Sequence, residues 1–395
     1  MNALILQCGG PTAVINASLA AVIVASQMEA PMGRRWGARL GLAGLASGDW
    51  VDLTATPAPV LARLRMQPGA ALGSSRHFLG DEELPTVLAR CAERAIGAVY
   101  IIGGNGAMAA ANKLALAAAA SGYSAHGRPL HVIGVPKTVD NDLAGVDVAP
   151  GYGSAARWVA QTVCDIGLDL RAMRSFDDVA VIEVMGRHAG WLAAAAALAR
   201  HAAADPPDLI LVPEVVFDEE RFLAKVQAIH RRRGICLVVA SEGIKDAQGR
   251  FVAEKLGHSE ADPSGQTLLG LAPGVAPYLA ARVRGQLGLR CRHLRPDTIQ
   301  RSSRALASEA DRTLAEQVGR AAVKAAHRGE SAIMVGLARQ TAGWETVSVP
   351  LANVVGKERR LPPRYIGADG WWVTDAFFAY ARPLVGDIGG AVVEF

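Results

Sequence analysis

The chain has 395 residues, 51% hydrophobic and 20% charged, with a formal net charge of +4. That length exceeds one ordinary core and predicts two domains, while the balance is that of a globular protein and excludes a disordered one. Lys and Arg are scattered, and the densest run (Arg231, Arg232, Arg233) falls where a helix should end; cations suit that end of the dipole, so no nucleic-acid partner is expected.

The five cysteines (Cys8, Cys91, Cys164, Cys236, Cys291) are odd in number, far apart and form no CxxC pair. This argues against a disulfide framework or a zinc site and fits a reducing compartment. Cys8 and Cys236 sit inside apolar runs and read as core fillers. The start, MNALILQCGG, lacks the basic stretch of a signal peptide, and apolar segments such as 192–198 are too short to span a bilayer. A soluble, cytoplasmic protein without a membrane partner is expected.

In chain order, a β-rich run at 3–7 leads into Gly9-Gly10, with a helix expected from Pro11 or Thr12. Further strand-like runs lie at 98–102, 132–135, 179–184, 209–212, 235–240 and 332–335. Helical stretches lie at 107–120, 154–170, 189–203, 218–232 and 309–328. This alternation predicts an α/β fold with right-handed crossovers and mostly parallel sheets. A boundary is expected near Pro150, 257–274 reads as a surface loop, and 351–395 reads as an extension packed on the body.

Parallel sheets bind ligands at the carboxyl ends of their strands, and three such ends hold unusual residues. The first is Cys8-Gly9-Gly10-Pro11-Thr12, where two glycines allow close backbone approach and a following helix would offer N–H groups to a phosphate. Alone it reads equally as a tight turn. The second is Gly103-Gly104-Asn105-Gly106, again followed by a helix; two such turns at neighbouring strand ends suit a polyphosphate. The third, Pro136-Lys137-Thr138-Val139-Asp140-Asn141-Asp142, places a cation, a hydroxyl and two carboxylates directly after an apolar run. Surface loops hold Asp and Asn for turn chemistry too, but beside a lysine and two glycine turns phosphate and Mg2+ chemistry is the better reading.

Those three motifs, with Met185-Gly186-Arg187 and Gln300-Arg301, occur in the order seen in phosphofructokinases. The strings GGPTAVINASLA, EVMGRHAGWLAAA and FFAYARPLVG resemble the pyrophosphate-dependent branch, nearly end to end. The resemblance implies two Rossmann-like domains with the active site in a cleft between them: 1–150 for the donor, completed by part of 301–375, and 151–300 for the sugar phosphate. It implies Mg2+, pyrophosphate or ATP as donor, fructose 6-phosphate as acceptor, and a homodimer. By the same match Gly10, Gly104, Asn105, Gly106 and Arg76 contact the donor, and Asp140 is the base with Lys137 beside it. Thr138, Met185, Gly186, Arg187, Glu242, Arg292, Thr298 and Arg301 contact the acceptor, and Asn105 and Asp142 hold the metal. His188 reads as a packing residue at a helix start.

The match also has departures. Family members carry Asp where Asn105 stands, and the pyrophosphate branch carries Asp at Gly106, where it blocks a nucleotide; Lys137 is the pyrophosphate-branch residue where ATP enzymes have Gly. Asp178 stands where ATP-branch enzymes have an arginine facing a neighbouring subunit's sugar phosphate, and Thr298 where Tyr or His assists Arg301. Three readings stay open: a pyrophosphate-dependent 6-phosphofructokinase, an ATP-dependent sugar-phosphate kinase, and a silent sugar-phosphate-binding paralogue.

Overall fold

In chain order the strands are β1 (Asn2–Gln7), β2 (Arg35–Ala38), β3 (Trp50–Asp52), β4 (Ile96–Gly103), β5 (His131–Pro136), β6 (Val179–Val184), β7 (Leu209–Leu211), β8 (Cys236–Ser241), β9 (Cys291–Leu294), β10 (Ile333–Gln340) and β11 (Gly343–Pro350). They come from a computed structural model that describes residues 1–28, 33–125, 127–203, 205–257, 260, 269–341 and 343–389. Most of the expected loop at 257–274, and the end of the expected extension, lie outside the described residues. The chain divides into two compact units, Met1–Tyr152 with Arg301–Arg359 and Gly153–Gln300 with Arg360–Phe395.

The first unit is built on a sheet of order β11-β10-β5-β4-β1-β2-β3. Pairing is parallel from β10 through β5, β4 and β1 to β2, and antiparallel at the two outer pairs. The central strands read as near-continuous apolar runs because both faces are covered. From β1 the chain runs to β2 on one side and later returns to β4 on the other. This reversal is the switch point of an open parallel sheet, the usual place for a ligand. The register sets Gln7 beside Ile102 and Gly103 beside Pro136, so three glycine- or lysine-bearing loops leave from neighbouring strand ends.

The second unit holds a parallel sheet of order β7-β8-β6-β9. Its helix Glu219–Arg233 is capped by the Asp218 carboxylate at one end and by left-handed Gly234 at the other. The basic run falls in the last turn, as expected. Buried Trp191 anchors an aromatic cluster with Tyr365 and Tyr380, ring centroids 5.7 and 5.1 Å away, and Phe377 packs on Tyr365 at 5.9 Å.

Two expected helices are corrected. The first begins at Ile15, not at Pro11 or Thr12, because the intervening residues bond elsewhere: Val14 N–H donates to the Thr12 hydroxyl (3.3 Å) and the Thr12 carbonyl accepts from Gly69 N–H (3.1 Å). The stretch 189–203 yields only Trp191–Ala195 and a tighter turn at Ala196–Ala199. Arg200 ends it by donating to the Asp205 and Pro207 carbonyls (2.8 and 2.6 Å) and stacking over Trp372 at 4.0 Å; tertiary contacts override alanine's helix propensity. Strands β2, β3, β9 and β11 and the helices Ala58–Arg65, Leu84–Glu93, Val275–Leu287 and Asp375–Val385 lie outside the sequence expectation. Among the described residues no helix is long and apolar enough to cross a membrane.

In the first unit, helix Ile15–Met28 crosses helix Glu309–His327 at Gly319, where an added Cβ would lie 2.7 Å from the Ser18 carbonyl oxygen and 2.8 Å from Ala21 Cβ. Helix propensity alone makes Gly319→Ala stabilising by about 1 kcal/mol. Steric overlap costs about 1–3 kcal/mol and dominates, so a lower urea midpoint than that of the unmodified protein is expected.

Candidate active site

The first strand-end turn is held through its carbonyls. Gly9 adopts φ +74°, its carbonyl accepts from the Ser74 hydroxyl (2.7 Å), and the Gly10 carbonyl accepts from Lys137 Nζ (2.7 Å). An added Cβ on Gly10 would lie 2.9 Å from an Arg301 guanidinium nitrogen, so a side chain there would displace Arg301. At the second end Gly104 precedes the helix Asn105–Ala120. The first-turn N–H groups have no intrahelical acceptor and sit at the positive end of the dipole. Gly106 is exposed, and an added Cβ would meet nothing within 4 Å.

The loop after β5 is laced together by its own side chains. Asp140 N–H donates to the Thr138 hydroxyl (3.1 Å), which donates to Asp142 Oδ1 (3.3 Å), while Asn105 Nδ2 donates to Asp142 Oδ2 (2.8 Å). Asn141 takes φ +56°, and its side-chain oxygen accepts from Ala149 N–H (3.0 Å). Arg359 fastens the loop from outside, its guanidinium donating to the Asn141 carbonyl (2.8 Å) and its N–H to the Asp142 carbonyl (2.7 Å). Asp140 is left half-buried on a fixed turn. Asn105 Oδ1 is buried and without a hydrogen-bond partner.

Burial lowers the Lys137 pKa to about 8, with Arg301 pushing it further down and Asp140 and Asp142 opposing. The neighbouring Cys8 thiol is pushed up to about 12 by burial and stays protonated. Asp142 is raised by burial and by the Glu358 carboxylate.

In the second unit the turn after β6 carries Met185, Gly186 and Arg187. The Met185 N–H donates to Gln300 Oε1 (3.0 Å), and the Gly186 carbonyl accepts from the Ser241 hydroxyl (2.5 Å). Gly186 has φ +131° and an added Cβ there would lie 2.6 Å from the Ala189 carbonyl oxygen, so glycine is required. Glu242 follows β8, its N–H bonded to the Val184 carbonyl (2.9 Å). Burial, reinforced by the Glu183 carboxylate, pushes the Glu242 carboxyl up to about 7, against the pull of Arg187. His188 is pushed down to about 4 by burial and by Arg187, Lys245 and Arg360; it is neutral near pH 7 and half-buried, though the helix starts three residues later at Trp191.

The remaining sequence-selected residues are exposed or ion-paired. Arg292 projects from edge strand β9 and pairs with Asp177 (2.6 Å) and Asp169 (3.8 Å). Thr298 and Arg76 are exposed. Asp178 is held by Arg290 Nε and Nη2 (3.0 and 3.1 Å) and lies 3.4 Å from His230. The Arg290 hydrogen bond keeps its carboxyl below the usual range, so Asp178 serves an ion pair. Ser74, Arg359 and Glu183 escaped the sequence reading; the one signal for Glu183 is an acid inside an otherwise apolar strand.

The profile of the Phosphofructokinase family matches residues 2–326. The chain belongs to that family. A relative from Xanthomonas campestris described as pyrophosphate–fructose 6-phosphate 1-phosphotransferase is 42% identical, over 97% of this chain and 91% of its own length. One from Alkalicoccus urumqiensis described as sulfofructose kinase is 38% identical, over 93% and 92%. The crystal structure of a pyrophosphate-dependent phosphofructokinase from Nitrosospira multiformis superposes with a TM-score of 0.88 at 34% identity, covering all of this chain and 94% of that one. The family's α/β architecture and the parallel sheets agree with the fold expected from the sequence.

Lys137 carries its charge below about pH 8 and loses it above. Pyrophosphate affinity measured by calorimetry should therefore lose a favourable contribution as pH rises through 8. Lys137→Arg, which stays charged, should remove that loss; identical pH profiles for both proteins would show that the ammonium does not face the anion.

Proposed function

We propose that the protein transfers a phosphoryl group from pyrophosphate to the 1-hydroxyl of fructose 6-phosphate, reversibly and with Mg2+, in the cytoplasm and as a homodimer. The observation that carries the reading is the buried Lys137 ammonium under the Gly9-Gly10 turn, one strand end from a helix N-terminus and beside Asp140. A nucleoside-free donor depends on such fixed charge more than a nucleotide does.

In this reading Gly10, Gly104, Asn105 and Gly106 hold the donor phosphates through backbone N–H groups, with Arg76 approaching from its loop. Asp140 accepts the proton of the sugar hydroxyl as that oxygen bonds to phosphorus and the bridging P–O bond breaks; the leaving phosphate keeps the electron pair near Lys137. Such transition states are loose, so positioning and charge neutralisation carry the rate. Thr138, Met185, Gly186, Arg187, Glu242, Arg292, Thr298 and Arg301 are the acceptor contacts. Arg301, lying against Gly10, is also placed to reach the donor phosphate.

Asn105 Oδ1, buried and unpartnered, and the Asp142 carboxylate fit a hard cation. Among the described residues no group of three or more His, Cys, Asp or Glu side chains is placed to hold a metal; Asn105 and Asp142 would hold the ion together with substrate phosphates and water, the usual arrangement for Mg2+. The ion supplies charge neutralisation on the transferring group. One observation favours an ATP-dependent alternative: the space at Gly106 is open. It removes an obstacle without adding attraction, which is why Lys137 decides the choice.

The test is turnover of fructose 6-phosphate, and in parallel of sulfofructose, with pyrophosphate or ATP as donor, for the unmodified protein and Asp140→Asn. Pyrophosphate with fructose 6-phosphate should be the favoured pair, and the variant should lose about 10²–10⁴-fold in kcat with KM values little changed. Preference for ATP would overturn the donor, and near-normal turnover by the variant would remove Asp140 as the base.

A further inference from the structure

Two fully buried amides lie beneath the donor turn in the first unit. Gln7 ends β1 and Asn16 sits in the first turn of helix Ile15–Met28, both with no exposed surface. Buried amides are costly unless their polar atoms are satisfied, and these two satisfy each other and one loop. Gln7 Nε2 donates to Asn16 Oδ1 (2.9 Å). Gln7 Oε1 accepts from Leu72 N–H (3.0 Å), Asn16 Oδ1 from Ala71 N–H (2.9 Å), and Asn16 Nδ2 donates to the Gln67 carbonyl (3.0 Å).

The same loop is tied twice more, by Gly69 N–H to the Thr12 carbonyl (3.1 Å) and by Leu40 N–H to the Leu72 carbonyl (2.8 Å). Two residues beyond Leu72, the Ser74 hydroxyl donates to the Gly9 carbonyl (2.7 Å), and Arg76 follows. An apolar pair at 7 and 16 would fill the core equally well; two amides add a fixed register between core and loop. We infer that Gln7 and Asn16 are positioning residues for the donor subsite, setting loop 67–76 so that Ser74 fixes the Gly9-Gly10 turn and Arg76 is presented beside it. Ser74 is the contact through which they act. This rests on the reading of that turn as the donor site.

The test separates donor from acceptor kinetics, using whichever donor the unmodified protein accepts. Ser74→Ala removes only the final contact and should raise the donor KM about 5–10-fold, the worth of one hydrogen bond, with the acceptor KM within about twofold and the melting temperature lowered by no more than about 4 °C. Ser74→Thr keeps the hydroxyl and should restore the donor KM. Asn16→Ala should raise the donor KM further while leaving the acceptor KM alone. An unchanged donor KM in Ser74→Ala, or equal rises in both KM values in Asn16→Ala, overturns the inference; should Asn16→Ala not fold, Ser74→Ala decides alone. An unmodified protein that uses ATP but not pyrophosphate would instead overturn the proposed donor, and the KM split would still be read with ATP.

Discussion

A buried ammonium keeps its charge only where oxygen atoms take the place of water, and Lys137 meets that condition by donating to the Gly10 carbonyl at 2.7 Å. That single bond joins the loop after β5 to the turn after β1. It also dictates what may stand nearby. Gly9 takes a left-handed conformation with its Cβ position 3.4 Å from Nζ, and Cys8 stays a neutral thiol under the same burial. The carboxylates of Asp140 and Asp142 support the charge while Arg301 opposes it. The strand ends of the first unit therefore hold a balance of fixed charges on short backbone turns, which suits phosphoryl transfer because little reorganisation is needed when charge shifts.

The second unit manages the opposite problem, an excess of buried negative charge. Burial raises both Glu183 and Glu242, Glu183 raises Glu242 further, and Arg295 pulls both down, with Arg187 acting on Glu242. Glu183 also accepts from Ala276 N–H at the start of helix Val275–Leu287 (2.9 Å) and pairs with Arg295 (3.2 Å). Arg295 in turn donates to the Ala272 and Pro273 carbonyls (2.9 and 3.2 Å). Glu242 near pH 7 is consequently poised between acceptor and donor of a hydrogen bond.

Much of this was legible in the sequence where burial acts on both faces of an element. The run at 179–184 is a strand with those very bounds, and β4 and β5 extend theirs by one or two residues at each end, because central parallel strands must be apolar throughout. Edge elements were illegible for the converse reason. Strand β9 exposes Arg292 and His293, and edge strand β3 has only three residues; neither alternates or runs long enough to signal. The glycine turns and the loop around Asp140 could be read because their residue types are rare at strand ends. Asp178 could not, since its meaning depends on Arg290, 112 positions away. Gln7 likewise looks like a strand terminus until Leu72 is seen to bond it.

The most direct measurement runs the reaction backwards. With fructose 1,6-bisphosphate, orthophosphate and Mg2+, phosphorus NMR should show pyrophosphate and fructose 6-phosphate accumulating together in equal amounts. Absence of a pyrophosphate signal, with ATP formed when ADP replaces orthophosphate, would contradict a pyrophosphate donor held by Lys137.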